Sequence, residues 1–291
     1  MFVCLDQNAF RPKPGDFLLE ALRDPASNFV VPDAALMEMC KSDTHWRSTL
    51  AASLASLVPV KERVWGAAAA ATCSRMELLD GSIVSRADVI SDRVTTTVRE
   101  LIRAVGDGDL ETLGSHEAAI RTANKKMREG MLNDSLNQDR VTRLLNGLKC
   151  SIPSDLQKAI RAGRISEGLF DMLVTGSAFN IFCNFPNSLS PSQLWDLACA
   201  RSFAFRLVWT QVYSLLQSLR DGAWQTKKPQ QFTNSEVDRH YVVIGSYFDR
   251  LLTKDAESIR SDSHLRLMLG KDKTYIEESL LLCHTTIVPQ Q

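Results

Sequence analysis

Short apolar runs that end at an acidic residue limit the possible folds more than any other feature of the chain. Phe2–Leu5 is continuously apolar and Asp6 follows it directly, residues 29–31 form a second apolar run, and residues 250–253 are typical of a brief buried strand that ends just before Asp255. Continuous apolar runs are typical of strands that are buried on both faces, as in parallel sheets. Because ligands collect outside the carboxyl ends of such strands, we expect these acids to meet at one sheet edge.

Two of these runs adjoin predicted helices that carry further acids. After the second run, Pro32 suits the first position of a helix and Asp33 favours its positive end, which places Glu38 one to two turns in. Before the third run, apolar residues between positions 237 and 248 recur at helical spacing, with Asp238 near the beginning. The sequence therefore predicts two strand–helix junctions, each contributing an acid.

These patterns resemble the acidic motifs of the PIN-domain family of metal-dependent nucleases. The residues that carry the resemblance, in chain order, are Asp6, Asn8, Glu38, Asn234, Asp238, Thr253 and Asp255. They match the family's motifs in order, in residue type and in local spacing, within roughly residues 1–45 and 230–260. The resemblance implies an α/β fold, a three-layer PIN-like core with a mainly parallel central sheet.

The same resemblance implies a division of the chain. Residues 1–45 and 190–291 are expected to form the PIN-like nuclease core, and residues 46–189 a large all-helical insertion. The separation between Glu38 and Asp238 far exceeds that in a compact PIN domain, which is why an insertion is needed. Its role is left open: it could narrow substrate access, form a dimer face or serve as a lid under an inhibitor.

Three long helices are predicted from periodicity. Residues 60–79 are rich in alanine, and residues 83–105 carry a clean apolar stripe that ends before Gly106-Asp107-Gly108. Ser190-Pro191-Ser192-Gln193 is typical of a capping box and is expected to open a single helix through Leu219.

The resemblance also implies a catalytic site of four carboxylates. The implied catalytic residues and ligands of Mg²⁺ or Mn²⁺ are Asp6, Glu38, Asp238 and Asp255, with Asn8, Asn234 and Thr253 in supporting roles. Clustered carboxylates repel one another unless a cation neutralises them, and these hard ions prefer oxygen ligands. Such an ion can activate water for attack on a phosphodiester. The implied activity is that of an endoribonuclease on single-stranded or structured RNA, because most PIN domains act on RNA; DNA is the alternative substrate.

A rival hypothesis belongs to another functional class. A PIN-like helical module could keep the acids for structure and bind a protein without catalysis.

Since unchecked RNA hydrolysis is toxic, the expected setting of the nuclease is a regulated toxin or defence effector. The expected protein partner is then an inhibitor or a second copy of the chain.

Several charged residues allow two interpretations, a contact with a phosphate backbone or a solvated surface. They are the loop residues Arg11, Lys13, Lys227 and Lys228 and the helical residues Arg121, Lys125, Lys126 and Arg128. Glu236 is either a fifth acid of the site or a solvated residue in the first turn of its helix, and the second interpretation is favoured.

Composition narrows the choice of compartment and partners. Basic and acidic residues are equal at 34 each, so a nucleic-acid contact needs a local patch because no global positive field exists. The seven cysteines form no C-x-x-C pair and the five histidines are scattered, which argues against a zinc site. The odd number of cysteines favours a reducing, cytoplasmic setting. The apolar stretches are too short or too charged to span a bilayer, so no membrane partner is expected.

Overall fold

The chain divides into two compact units. The computed structural model describes residues 1–10, 15–42, 44–116, 119, 122, 125–126, 129, 133–184, 189–222 and 228–287. The α/β unit comprises Met1–Cys73, Val84–Leu132 and His240–Asp262, and the helical unit comprises Ser74–Ile83, Asn133–Arg239 and Ser263–Gln291. The sheet lies in the α/β unit, and the described residues of the helical unit form helices joined by short connections.

The α/β unit is built on a four-stranded parallel sheet. Its strands are β1 (Phe2–Leu5), β2 (Asn28–Pro32), β3 (Val64–Ala67) and β4 (Arg250–Leu252), in the order β3-β2-β1-β4. Val3 of β1 lies opposite Phe29 of β2 and opposite Arg250 of β4. The three predicted strands are therefore confirmed, and the expected α/β class with a parallel sheet is confirmed with them.

Helices cover this sheet and bury its apolar side chains. Among the described residues of the α/β unit, the α-helices are Asp16–Arg23, Asp33–Met39, Trp46–Leu54, Arg86–Val89, Asp92–Asp107 and Leu110–Ser115, with 3-10 helices at Gln7–Phe10 and Ala55–Arg63. Val3, Cys4, Leu5 and Phe29 are fully buried. Their continuous burial explains why the interiors of β1 and β2 are apolar at successive positions and lack the alternation of a half-exposed strand.

The helical unit has its own core. Its helices are Asp134–Ser151, Ser154–Arg161, Glu167–Cys183, Pro191–Cys199, Phe203–Asp221 and Lys273–Ile287, and Ala70–Asp80, Pro229–Gly245 and Ala256–Leu269 have residues in both units. Gly176 lies against the backbone of Ser279, where any side chain would collide. The fully buried Trp209 donates its indole N–H to Thr175 Oγ1 at 3.0 Å.

The prediction of one helix over residues 60–79 is wrong. Val64–Ala67 forms the edge strand β3, which pairs with β2, and a helix begins only at Ala70. Gly66 allows the helix Asp92–Asp107 to approach closely, and its N–H donates to Thr95 Oγ1 at 2.8 Å. The expectation that residues 46–189 are all helical therefore fails at this strand, because pairing with β2 outweighs the helical preference of the alanine-rich segment.

Residues 83–105 form two helices where one was predicted. The break lies between Arg86–Val89 and Asp92–Asp107, where Ile90 forms an isolated antiparallel bridge with Ala67. Ser91 then caps the second helix, its Oγ accepting from the N–H of Val94 at 3.3 Å. An apolar stripe thus continues across a junction that tertiary pairing creates.

The predicted helix from Ser190 to Leu219 is likewise divided. The capping box is confirmed, since Ser190 N–H donates to Gln193 Oε1 at 2.9 Å and Ser190 Oγ accepts from Gln193 N–H at 3.3 Å. The helix ends at Cys199, and Arg201 adopts a positive φ of 54° before Ser202 caps the next helix.

None of the described helices has the length and apolar character needed to cross a membrane.

Candidate functional site

The strand order places the end of β1 beside the end of β4. The chain passes from β1 to β2 and β3 on one side of the sheet, and β4 joins β1 on the other side. The order therefore reverses between β1 and β4, which is where open parallel sheets bind ligands, at the carboxyl ends of the strands. Asp6 directly follows β1 and Thr253 directly follows β4.

Asp6 is a buried acid at this position, with 2% of its surface exposed. Its Oδ2 accepts from the Thr253 hydroxyl at 2.6 Å, and its Oδ1 accepts from the N–H of Asn8 at 3.2 Å. Burial raises the pKa of Asp6 to about 6; the two hydrogen bonds oppose this rise, and the charges of Glu38 and Asp255 add to it. Three of the four predicted acids are thus close enough to interact electrostatically.

Asn8 and Thr253 join the end of β1 to the end of β4. Asn8 Oδ1 accepts from the N–H of Lys254 at 2.7 Å and lies 3.1 Å from Thr253 Oγ1. Thr253 Oγ1 in turn accepts from the N–H of Asp255 at 3.0 Å. The single hydroxyl proton of Thr253 serves the shorter contact, to Asp6. Both residues therefore position the acids from the two strands.

Glu38 is held by a residue whose polar role sequence reasoning missed. Glu38 lies in the helix Asp33–Met39, and its Oε2 accepts from the Tyr241 hydroxyl at 2.7 Å. Tyr241 is fully buried, and burial together with the charges of Glu38 and Asp6 raises its phenol pKa well above the ordinary 10. The phenol therefore remains protonated and donates to Glu38. The sequence placed Tyr241 in an apolar stripe, although its place in the motif three residues after Asp238 was a signal.

Asp255 combines a structural contact with its place at the site. It precedes the helix Ala256–Leu269 and is half-buried. Its Oδ1 accepts from the N–H of Ser258 at 2.7 Å, which is the geometry of a helix N-cap. This hydrogen bond fixes the carboxylate at the end of β4.

Asp238 and Asn234 belong to the helical unit. Both lie in the helix Pro229–Gly245, where Asn234 is exposed and Asp238 is half-buried. They are therefore outside the α/β unit, which contains Asp6, Glu38 and Asp255. Their roles as an acid ligand and a supporting residue remain predictions from the sequence.

The preferred interpretation of Glu236 is wrong. It was expected to be solvated, but it is 8% exposed and forms ion pairs with Arg239 and Arg140. Burial, with a smaller effect of Arg140, lowers the pKa of Arg239 to about 9. A buried carboxylate requires such partners, which local sequence did not reveal.

The basic residues considered as phosphate contacts fall into two groups. Lys125, Lys126 and Lys228 are exposed to solvent. The others, Arg11, Lys13, Arg121, Arg128 and Lys227, lie outside the described residues. Their two interpretations therefore stay open.

The donor set at the sheet edge suits a hard cation in its chemistry. Within the described part of the chain, no three or more His, Cys, Asp or Glu side chains are arranged to hold a metal ion. Asp6, Glu38 and Asp255 nevertheless offer carboxylate oxygens, which Mg²⁺ and Mn²⁺ prefer. The buried carboxyl of Asp6, whose pKa its acidic neighbours raise further, is a group that a nearby cation would stabilise in its charged form.

No protein-family model, curated protein or solved structure matches this chain. The PIN-domain resemblance therefore rests on the motif pattern alone.

Proposed function

We propose that the chain is a metal-dependent nuclease that hydrolyses phosphodiester bonds, with RNA favoured over DNA. The observation that carries the proposal is the buried carboxyl of Asp6 at the reversal of strand order, on which the charges of Glu38 and Asp255 act. A group of like charges at the ligand-binding edge of a parallel sheet costs stability and is typical of functional sites.

In the α/β unit, each of the three candidate acids accepts a hydrogen bond that orients its carboxylate. Thr253 and the Asn8 N–H hold the two oxygens of Asp6, the Tyr241 hydroxyl holds Glu38, and the N–H of Ser258 holds Asp255. These contacts keep the carboxylates oriented, as a site for charged reactants requires. When bound, Mg²⁺ or Mn²⁺ supplies charge neutralisation and an activated water.

Two parts of the proposal come from the sequence alone. Asp238 enters as the fourth acid because it occupies the corresponding position of the resembled motif. RNA is favoured because most PIN domains act on RNA, and a toxin or defence setting follows from the toxicity of unchecked RNA hydrolysis. The comparison of RNA with DNA tests the substrate class.

The test is cleavage of labelled single-stranded RNA and DNA by the purified full chain, with Mn²⁺ or with a chelator. Asp6→Asn is compared with Asp92→Asn, which removes an exposed acid from the first turn of another helix in the same unit. We expect Asp6→Asn to lower the rate at least about 100-fold, as when a group that acts on the transition state is lost. Asp92→Asn should keep the rate of the wild type.

Other outcomes have defined meanings. Cleavage that persists with the chelator, or in Asp6→Asn, contradicts the proposed site. Faster cleavage of DNA than of RNA would change the substrate class. A folded wild-type protein that cleaves neither substrate would favour the protein-binding module, in which Asp6→Asn and Asp238→Asn retain the partner.

A further inference from the structure

A mainly apolar groove opens in the α/β unit between two helices. The helix Asp33–Met39 contributes Leu36 and Met37, and the helix Asp92–Asp107 contributes Val94 and Leu101. Its volume is about 290 Å³. This is near the lower end of small-molecule pockets, about 300–1,000 Å³, so the groove suits a flat ring system.

Asp33 supplies an acceptor at the wall of this groove. Its Oδ1 accepts from the N–H of Ala34 at 2.8 Å, and its Oδ2 accepts no hydrogen bond from the described residues. Burial raises the pKa of Asp33 to about 6, so the carboxyl is mainly ionised at pH 7.5. An ionised carboxylate accepts hydrogen bonds and cannot donate them. The groove therefore selects a ligand with adjacent donors.

The groove and the candidate nuclease site share one helix. Asp33 lines the groove at the start of the helix Asp33–Met39, and Glu38, five residues later in the same helix, is one of the candidate acids. Arg93, an exposed cation, also lines the groove and can meet a phosphate group or stack on a base.

We propose that this groove binds an unstacked guanine base of the nucleic-acid substrate, with Asp33 accepting from the base; this inference rests on the proposed nuclease function. Guanine presents two adjacent donors, N1–H and the 2-amino group, on its Watson–Crick edge. Adenine and cytosine set one amino group beside an acceptor nitrogen that repels a carboxylate, and uracil flanks one N–H with carbonyl oxygens. Single-stranded RNA is read by such contacts to exposed base edges.

The test is calorimetric titration of the full chain with GMP, AMP, CMP and UMP at pH 7.5 without metal, so that hydrolysis plays no part. Variants are Asp33→Asn and its matched control Asp16→Asn, which removes an exposed acid from the first position of another helix. We expect GMP to bind at least about tenfold more tightly than the other three. Asp33→Asn should abolish this preference, and Asp16→Asn should retain it.

Equal affinity for the four nucleotides, or a guanine preference that survives in Asp33→Asn, overturns the proposal. Should Asp33→Asn fail to fold, Thr97→Trp provides the second test, because Thr97 lines the groove and a large side chain there would fill it. Retained guanine preference in Thr97→Trp would also overturn the proposal. Guanine-selective binding without RNA cleavage would contradict the nuclease function and support the guanine site. RNA cleavage without guanine-selective binding would contradict the guanine site alone.

Discussion

Among single residues, the half-buried carboxyl of Asp33 links the stability of the fold to pH. Its pKa in the folded chain is about 6, against an ordinary 3.8, so the folded state binds its proton more tightly than the unfolded state does. This contribution to stability is therefore present below about pH 4 and is lost as pH rises to about 6. We predict that the free energy of unfolding of Asp33→Asn, relative to that of the wild type, rises by about 1–2 kcal/mol between pH 4 and pH 7, after discounting for solvent screening.

Urea unfolding of both proteins at several pH values measures this difference. Asp16→Asn is the control, since it removes an exposed acid from the first turn of another helix. Its stability relative to the wild type should change little over the same range. If the difference in stability between Asp33→Asn and the wild type does not change with pH, burial does not shift the pKa of Asp33.

The hydroxyl of Thr253 gives a second prediction for a single residue. Thr253→Val keeps the shape of the side chain but removes the donor to Asp6 Oδ2. We predict a loss of about 1.5–3 kcal/mol in the free energy of unfolding at pH 7.5, because a buried charged acceptor loses its partner. Thr253→Ser retains the hydroxyl and should lose less. Equal losses in urea unfolding would mean that the hydrogen bond to Asp6 contributes no more to stability than packing of the methyl group does.

Site residues were predictable from the sequence where a local pattern marks them. Asp6 and Asp255 each follow an apolar run, and Glu38 follows a strand–helix junction, so their arrival at one edge could be expected. The hydrogen bond from Tyr241 to Glu38 joins residues 203 positions apart, so the apolar periodicity around Tyr241 gives no sign of it. Burial of Glu236 is equally non-local, since Arg140 lies in another helix.

At the level of elements, Gly66 determines how closely a helix can approach the sheet. A Cβ added to it would lie 2.5 Å from the backbone of Val94 and Thr95, in the helix Asp92–Asp107. We predict that Gly66→Ala destabilises the fold by about 1–3 kcal/mol, because the helix must move off β3. Gly147→Ala is the control, since nothing lies within 4 Å of its Cβ position and alanine favours a helix. Thermal unfolding that ranks Gly147→Ala below Gly66→Ala would contradict this account.

Secondary-structure elements were predicted correctly where a local pattern marks them and wrongly where pairing with distant residues decides them. Residues 2–5, 29–31 and 251–252 are apolar without alternation, and this pattern indicates buried strands. Strand β3 adjoins an alanine-rich segment with high helix propensity, and its identity depends on pairing with β2. The broken helix at Ile90 and Ser91 also depends on pairing, with Ala67. Non-local hydrogen bonds therefore set the elements that periodicity misplaced.

For the whole molecule, the sheet brings together residues from nearly the full length of the chain. Asp6 and Asp255 lie near opposite ends of the sequence, and they interact because β1 pairs with β4. The unfolded chain has no means of holding these carboxylates near one another. Any cation that uses them must therefore favour the folded state.

This dependence on folding gives the last prediction, which separates metal binding from catalysis. We predict that millimolar Mn²⁺ raises the Tm of the wild type, because a ligand that binds the folded state alone stabilises it by about 2.7 kcal/mol at 100 times its Kd. Asp6→Asn should lose this Mn²⁺ response, and Asp92→Asn, which removes an exposed acid, should keep it. Scanning fluorimetry with and without Mn²⁺ makes the measurement. An equal shift in Asp6→Asn and the wild type would place the ion elsewhere, and no shift in a folded wild type would contradict a Mn²⁺ site at this sheet edge.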